Sequence, residues 1–234
     1  MKNEITKSQL AEVCIPREGF EVICQREDLI IPRAKLFNGL PKEYEDYPDA
    51  KPGQILNNIT KEVLPQVFIP IMRHIEWIRF NPSNAKLADG KTENPAFDKA
   101  FNPGEVIWRS TDPNDPRVIS ESQWGANGEK PLALKFLSFL SYFPGSSMPV
   151  LVSFYKTSMN AGKAVNSVLE YAQGSMYEHS FKLTTKITKT GEHSHYVYQA
   201  TYNGKAKAED VEAAKRLYQS FKGSNVQAKA EFVE

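Results

Sequence analysis

The chain has 234 residues, with 29 Lys+Arg against 28 Asp+Glu, a formal charge of +1, and 41% hydrophobic and 11% aromatic residues. This balance excludes collagen-like, wholly disordered and coiled-coil chains, and the length suits one elaborated domain with a sizeable core. No apolar run approaches the ~20 residues that cross a bilayer as a helix, so no membrane role is expected. The opening MKNEITKSQLAEV lacks the apolar stretch of a secretory leader, and two cysteines, Cys14 and Cys24, fit a reducing compartment better than a disulfide scaffold.

Residues 1–19 read as a polar lead-in. Residues 20–37 mix short apolar runs with charge, and Pro32 marks an edge strand or extended segment. The acidic stretch PKEYEDYPDAKPG is an exposed loop ending in a turn, and 55–64 is a short extended unit. VFIPIMRHIEWIRF (67–80) is one long strand, with Pro70 placing its first part at an edge or bulge. Alternation puts Arg73, Ile75, Trp77 and Arg79 on one face and Met72, His74, Glu76, Ile78 and Phe80 on the other.

Residues 81–104 form a long excursion rich in Asn, Pro, Asp and Gly, and EVIWR (105–109) is a short strand. STDPNDPR is a turn and SQWGANGEKP (122–131) a loop. LALKFLSFLSYF (132–143) and VLVSFYK (150–156) form a hairpin around PGSSMP. Thr157 or Ser158 caps a helix over about 159–172 that Gly174 ends. YEHSFKLTTKITK (177–189) and HSHYVYQATYN (193–203) form a second hairpin with one apolar face. A last helix over 208–222 carries the stripe Val211, Ala214, Leu217, Tyr218 and Phe221, with Gly223 as its cap. The domain thus runs from 20 to 223, followed by a tail over 224–234. The expected fold is mostly β (α+β), nearer to a barrel than to a doubly wound sheet.

Enzymatic motifs are missing. There is no GxSxG, no GxGxxG and no Walker loop; GANGEK lacks the Gly-Lys-Ser/Thr ending that cradles phosphates. His193 and His195, two apart on a strand, point the same way and could begin a metal site, but no third ligand stands out; exposed histidines after a turn explain them equally well. Charge is uneven. Residues 1–130 carry 17 basic against 20 acidic side chains, and 131–234 carry 12 against 8. The window 135–189 holds six lysines against Glu170 and Glu178, which suits either a solvated face or a surface that meets a polyanion.

Binding chemistry is what remains. Single-strand recognition combines cations for phosphates with rings on which bases stack. The long strand offers Arg73, Trp77 and Arg79, and the next strand Trp108 and Arg109, pointing oppositely. FYKTSMNAGK adds Tyr155, Lys156 and Lys163 around a helix start, which favours phosphate. The alternative is that both tryptophans are core and the arginines solvated.

The block AKPGQILNNITKEVLPQVFIPIMRHIEWIRF, with SFYKTSMNAGKAVNSVLE and FKLTTKITKTGEHSHYVYQATYNGKAKAEDVEAAKRLYQSF, resembles phage-encoded single-stranded-DNA-binding proteins of OB-fold type over about 31–222. The resemblance implies an OB-like β-barrel, no catalysis and no cofactor. It also implies a protein in the host cytoplasm that coats or anneals single-stranded DNA in phage replication or recombination. The implied partners are that DNA, replication proteins and, for a homodimer, a second copy. The implied contacts are Arg73, Trp77, Arg79, Lys156 and Lys163. The acidic, aromatic-tipped tail common in such proteins is reduced here to AEFVE. Two other classes stand beside this reading: a protein-interaction or virion-associated module, and a metal-dependent enzyme built on His193 and His195.

Overall fold

The β-branched and aromatic run 67–80 does form one strand, and the rest of the sheet is organised around it. The computed structural model describes residues 30–222 apart from 88, 147, 191 and 192, so the expected lead-in, the segment 20–29 and the tail lie outside the described residues. The elements in order are β1 (Ala34–Leu36), α1 (Pro41–Asp46), β2 (Ile55–Asn57), β3 (Val67–Phe80), β4 (Val106–Ser110) and α2 (Pro116–Glu121). They continue with β5 (Ala133–Tyr142), β6 (Val150–Phe154), α3 (Met159–Tyr171), β7 (His179–Thr190), β8 (His193–Lys205) and α4 (Ala208–Phe221). The protein is mostly β, with a six-stranded antiparallel sheet in the order β6-β5-β3-β7-β8 and β4 also on β3.

β3 is long enough to serve three partners. Val67 and Phe68 pair with Lys182 and Phe181 of β7, the stretch from Ile69 to Arg79 pairs with β5, and Trp77 to Phe80 pair with β4. The β5 register slips between Pro70 and Met72. A proline cannot donate to the ladder, so a bulge at that point is the outcome its chemistry dictates.

Phe68, Phe139, Val152, Phe154, Phe181, Leu183 and Tyr198 share one core with Val165 of α3. Since β6 and β8 are the two ends of the strand order, a sheet whose ends share a core must curve. It does not close. The OB-like barrel expected from the sequence is corrected here to an open, curved sheet, because β6 and β8 do not pair. The β6 end is met by the chain leading into β1, where Arg33 bridges Leu151 in parallel, and not by β8. The β1–β2 ribbon touches both ends instead. Leu151 donates its N–H to Pro32 O at 2.8 Å. On β8, Tyr198 donates its hydroxyl to Ala34 O at 2.9 Å and Tyr196 its N–H to Asn38 Oδ1 at 2.7 Å.

α3 covers the inner face. Gly162 makes this possible, since a Cβ there would lie 2.6 Å from Phe154 Cβ. Ser158 begins α3 but does not cap it with its side chain; its Oγ accepts from Tyr198 N at 3.1 Å and fixes β8 to the helix start. α4 packs Ala214, Leu217 and Tyr218 against Ile69, Ile71 and Tyr142 on the opposite face. The STDPNDPR segment, expected as a turn, turns directly into α2: Asp115 Oδ1 accepts from Arg117 N at 2.9 Å and Pro116 occupies the first turn.

Candidate nucleic-acid interface

The alternation along β3 places its side chains as expected, but both faces are covered. On the first face, Trp77 lies only 8% exposed against Trp108, Val118 and Ala133, with the Lys135 ammonium 5.2 Å from its ring centroid. Trp108, also 8% exposed, joins it through the pairing of Arg79 with Trp108, and donates its Nε1–H to Glu121 Oε2 at 3.0 Å. The guanidinium of Arg117 lies 5.2 Å from the Trp108 ring. α2 therefore roofs both indoles, and neither offers an open face to a base.

The arginines are engaged too. Arg79 donates to Glu121 Oε1 at 2.9 Å and to the Ala96 carbonyl at 3.4 Å. Arg73 donates to Asn166 Oδ1 at 2.6 Å and pairs with Glu170, both on α3. Arg109 points to the other face, as expected, where its Nε is 3.6 Å from Glu76 Oε2. Each guanidinium holds a carboxylate, the role for which its planar fork is suited. Trp77, Arg79 and Trp108 are thus brought together in a structural cluster, while Arg73 and Arg109 are parted from it.

On that second face the sequence reading missed a buried charge cluster. Glu76 is 1% exposed, and Arg33 Nη2 and His74 Nε2 approach its carboxylate at 4.0 and 3.8 Å beside Arg109. A glutamate inside an apolar strand was the available clue. Tyr155 stacks on Phe136 with centroids 4.6 Å apart, and Lys156 is exposed at φ 45°, a left-handed conformation that is uncommon outside glycine. Lys163 is exposed on α3. Beside α2, the Arg117 side chain donates to Asp115 and holds its carboxyl well below the usual carboxylate range.

The lysines of the second hairpin behave differently. β7 and β8 carry Lys182, Lys186, Lys189 and Lys205 and contain neither Asp nor Glu. None of these ammonium groups, nor that of Lys163, takes part in an ion pair among the described residues. Lys182 and Lys186 lie on the outer face with Thr184, Gln199 and Thr201, while Phe181, Leu183 and Tyr198 face the core. At the base of the ribbon, His179 is buried between Gln173 and Tyr202. Its Nε2 donates to the Gln173 carbonyl at 3.0 Å, since a carbonyl only accepts, and in the neutral ring Nδ1 accepts the Tyr202 hydroxyl at 3.1 Å. Of the histidine pair first considered for metal, His195 is half-buried opposite Thr188, and the His193 side chain lies outside the described residues. Among the described residues no cluster of His, Cys, Asp and Glu could hold a metal ion, and no helix is long and apolar enough to cross a membrane.

A family model described as Pam3 phage gp34-like protein matches residues 15–227. The chain belongs to that phage family. No curated protein and no solved structure matches it. The family match covers every described element, from β1 to α4, so the charge cluster, the roofed tryptophans and the lysine ribbon all lie within its span.

Proposed function

We propose that this phage gp34-like protein binds single-stranded DNA without base-sequence specificity and without catalysis, serving phage replication or recombination in the host cytoplasm. In this reading the contact surface is the β7–β8 ribbon, and the indole face of β3 is structural. The observation that carries the reading is the ribbon's charge: Lys182 and Lys186 on the outer face, Lys189 and Lys205 on the other, no carboxylate in either strand, and no ion pair to neutralise them among the described residues. Thr184, Gln199 and Thr201 beside Lys182 and Lys186 add hydrogen-bonding groups of the kind that meet phosphate and sugar. The OB-type resemblance enters as a curved sheet that presents strands to a nucleic acid. Replication proteins, or a second copy in a homodimer, are further partners in the same reading.

Anisotropy of a labelled oligo-dT, measured across a salt series, tests this better than intrinsic fluorescence, because two of the three tryptophans are buried. Each phosphate neutralised contributes about −0.7 to the slope of log affinity against log salt for a single strand. Replacing Lys182 and Lys186 together by Glu is expected to weaken binding and to flatten that slope by about 1.4. Unchanged affinity and slope would refute the reading. A protein-interaction role has one observation in its favour: Trp124 is 65% exposed on a segment where Ile119 and Leu132 are exposed as well. A defined protein complex by light scattering, with no oligonucleotide shift at low salt, would favour it.

A further inference from the structure

Besides the ribbon, a cleft of about 590 Å³ opens between the C-terminal end of α3 and the base of β7–β8. Ser167, Tyr171, Gln173, His179, Tyr202 and Lys205 line it. We propose that this cleft, which lies across the β8 edge from Lys182 and Lys186, is a stacking site for one unpaired base where the bound strand passes over that edge, with Lys205 on a neighbouring phosphate. The inference rests on the single-stranded-DNA reading above.

Three features assign the occupant. The first is Tyr171, which is 89% exposed. The helix buries Val165 and packs Val168 and Leu169 against the core, and leaves the Tyr171 ring in solvent at the rim of the cleft. Aromatic faces set at a polar rim are what bases stack on, whatever their identity. The second is the preparation of Tyr202. It pairs with Phe181 on β7, meets that ring edge-on at 5.5 Å, and gives its hydroxyl hydrogen to His179, whose other nitrogen is tied to Gln173. The ring is held in place, and its oxygen keeps a lone pair for a donor on the base edge. The Gln173 amide and the Ser167 hydroxyl each offer donor and acceptor, so no single base is selected.

The third is the bulge that brings the cation to the same side. Three residues apart on a regular strand, Tyr202 and Lys205 would point oppositely. The register shift between Ser180 and Phe181 sets one extra β8 residue, with Gly204 at φ 95°, between them, and both side chains then line the cleft. Lys205 also borders Glu178 and Glu212, but its ammonium pairs with neither. Leaving the cleft, Tyr171, Ser167 and Lys163 recur every four residues and form one stripe of α3, so Lys163 is placed to meet the backbone of the same strand.

The test compares oligo-dT with an abasic oligonucleotide of equal length, which keeps the phosphates and removes the bases. Wild-type protein is expected to prefer oligo-dT, and Tyr171→Ala to cut that preference about tenfold while leaving abasic binding unchanged. Tyr171 is so exposed that the variant should fold normally. An iodouracil-substituted strand should photocrosslink to Tyr171 or Tyr202. Equal affinity for both oligonucleotides, or a preference unaltered in Tyr171→Ala, overturns the base site while the ribbon reading stands. Loss of all binding to both strands by wild-type protein at low salt overturns the reading and the site together.

Discussion

Replacing Glu76 by Gln keeps the shape of the side chain and removes the charge that two arginines and a histidine share. Arg109, His74 and Arg33 lie 3.6, 3.8 and 4.0 Å from its oxygens, and the carboxylate is 1% exposed. At an effective dielectric of about 20, each guanidinium gains about 4 kcal/mol from a unit charge at such a distance, before desolvation is set against it. Breaking a buried pair from one side costs about 3–5 kcal/mol, because the partner charges stay behind. The arginine side chains retain 12% and 25% of their exposure, so water relieves them in part, and the lower end, about 3 kcal/mol, is expected. For a chain of this size that corresponds to a fall in melting temperature of roughly 6–12 °C by circular dichroism. A double-mutant cycle with Arg109→Gln should show coupling well above zero, since the second change relieves a charge the first left unbalanced. A Glu76→Gln melt within a degree or two of wild type, or no coupling in the cycle, would show that the cluster is solvated and refute the reasoning.

Gly162→Ala should destabilise the protein by about 1–3 kcal/mol in urea unfolding, because the new methyl would sit 2.6 Å from Phe154 Cβ and push α3 off the sheet. Burial above all raises the Tyr198 phenol well above its ordinary value of 10.0, so the folded state keeps a proton that the unfolded chain loses. That contribution is complete below pH 10.0 and fades as pH rises beyond it. Tyr198→Phe should lose about 1 kcal/mol at neutral pH, with the bond to Ala34, yet show a shallower alkaline decline in stability.

The local chemistry of the chain determined a good deal by itself. The β-branched run of β3, its proline bulge, the hairpin of β5 and β6, the amphipathic stripe of α4 and the opposite orientations of Trp108 and Arg109 all follow from side-chain period and backbone stereochemistry. Those rules act over a few residues, and they hold wherever the segment ends up. What lies above a face is another matter. Trp77 and Arg73 sit on the face expected for them, but α2 and α3 arrive there from 40 and 90 residues away along the sequence, roofing one and pairing the other. Likewise, whether β6 and β8 pair is decided by where the two ends of the sheet lie in space, and the cleft at Tyr171 forms where the bulged end of β8 meets the end of a helix. Burial and ion pairing are properties of neighbours in space, and only the tertiary structure supplies them.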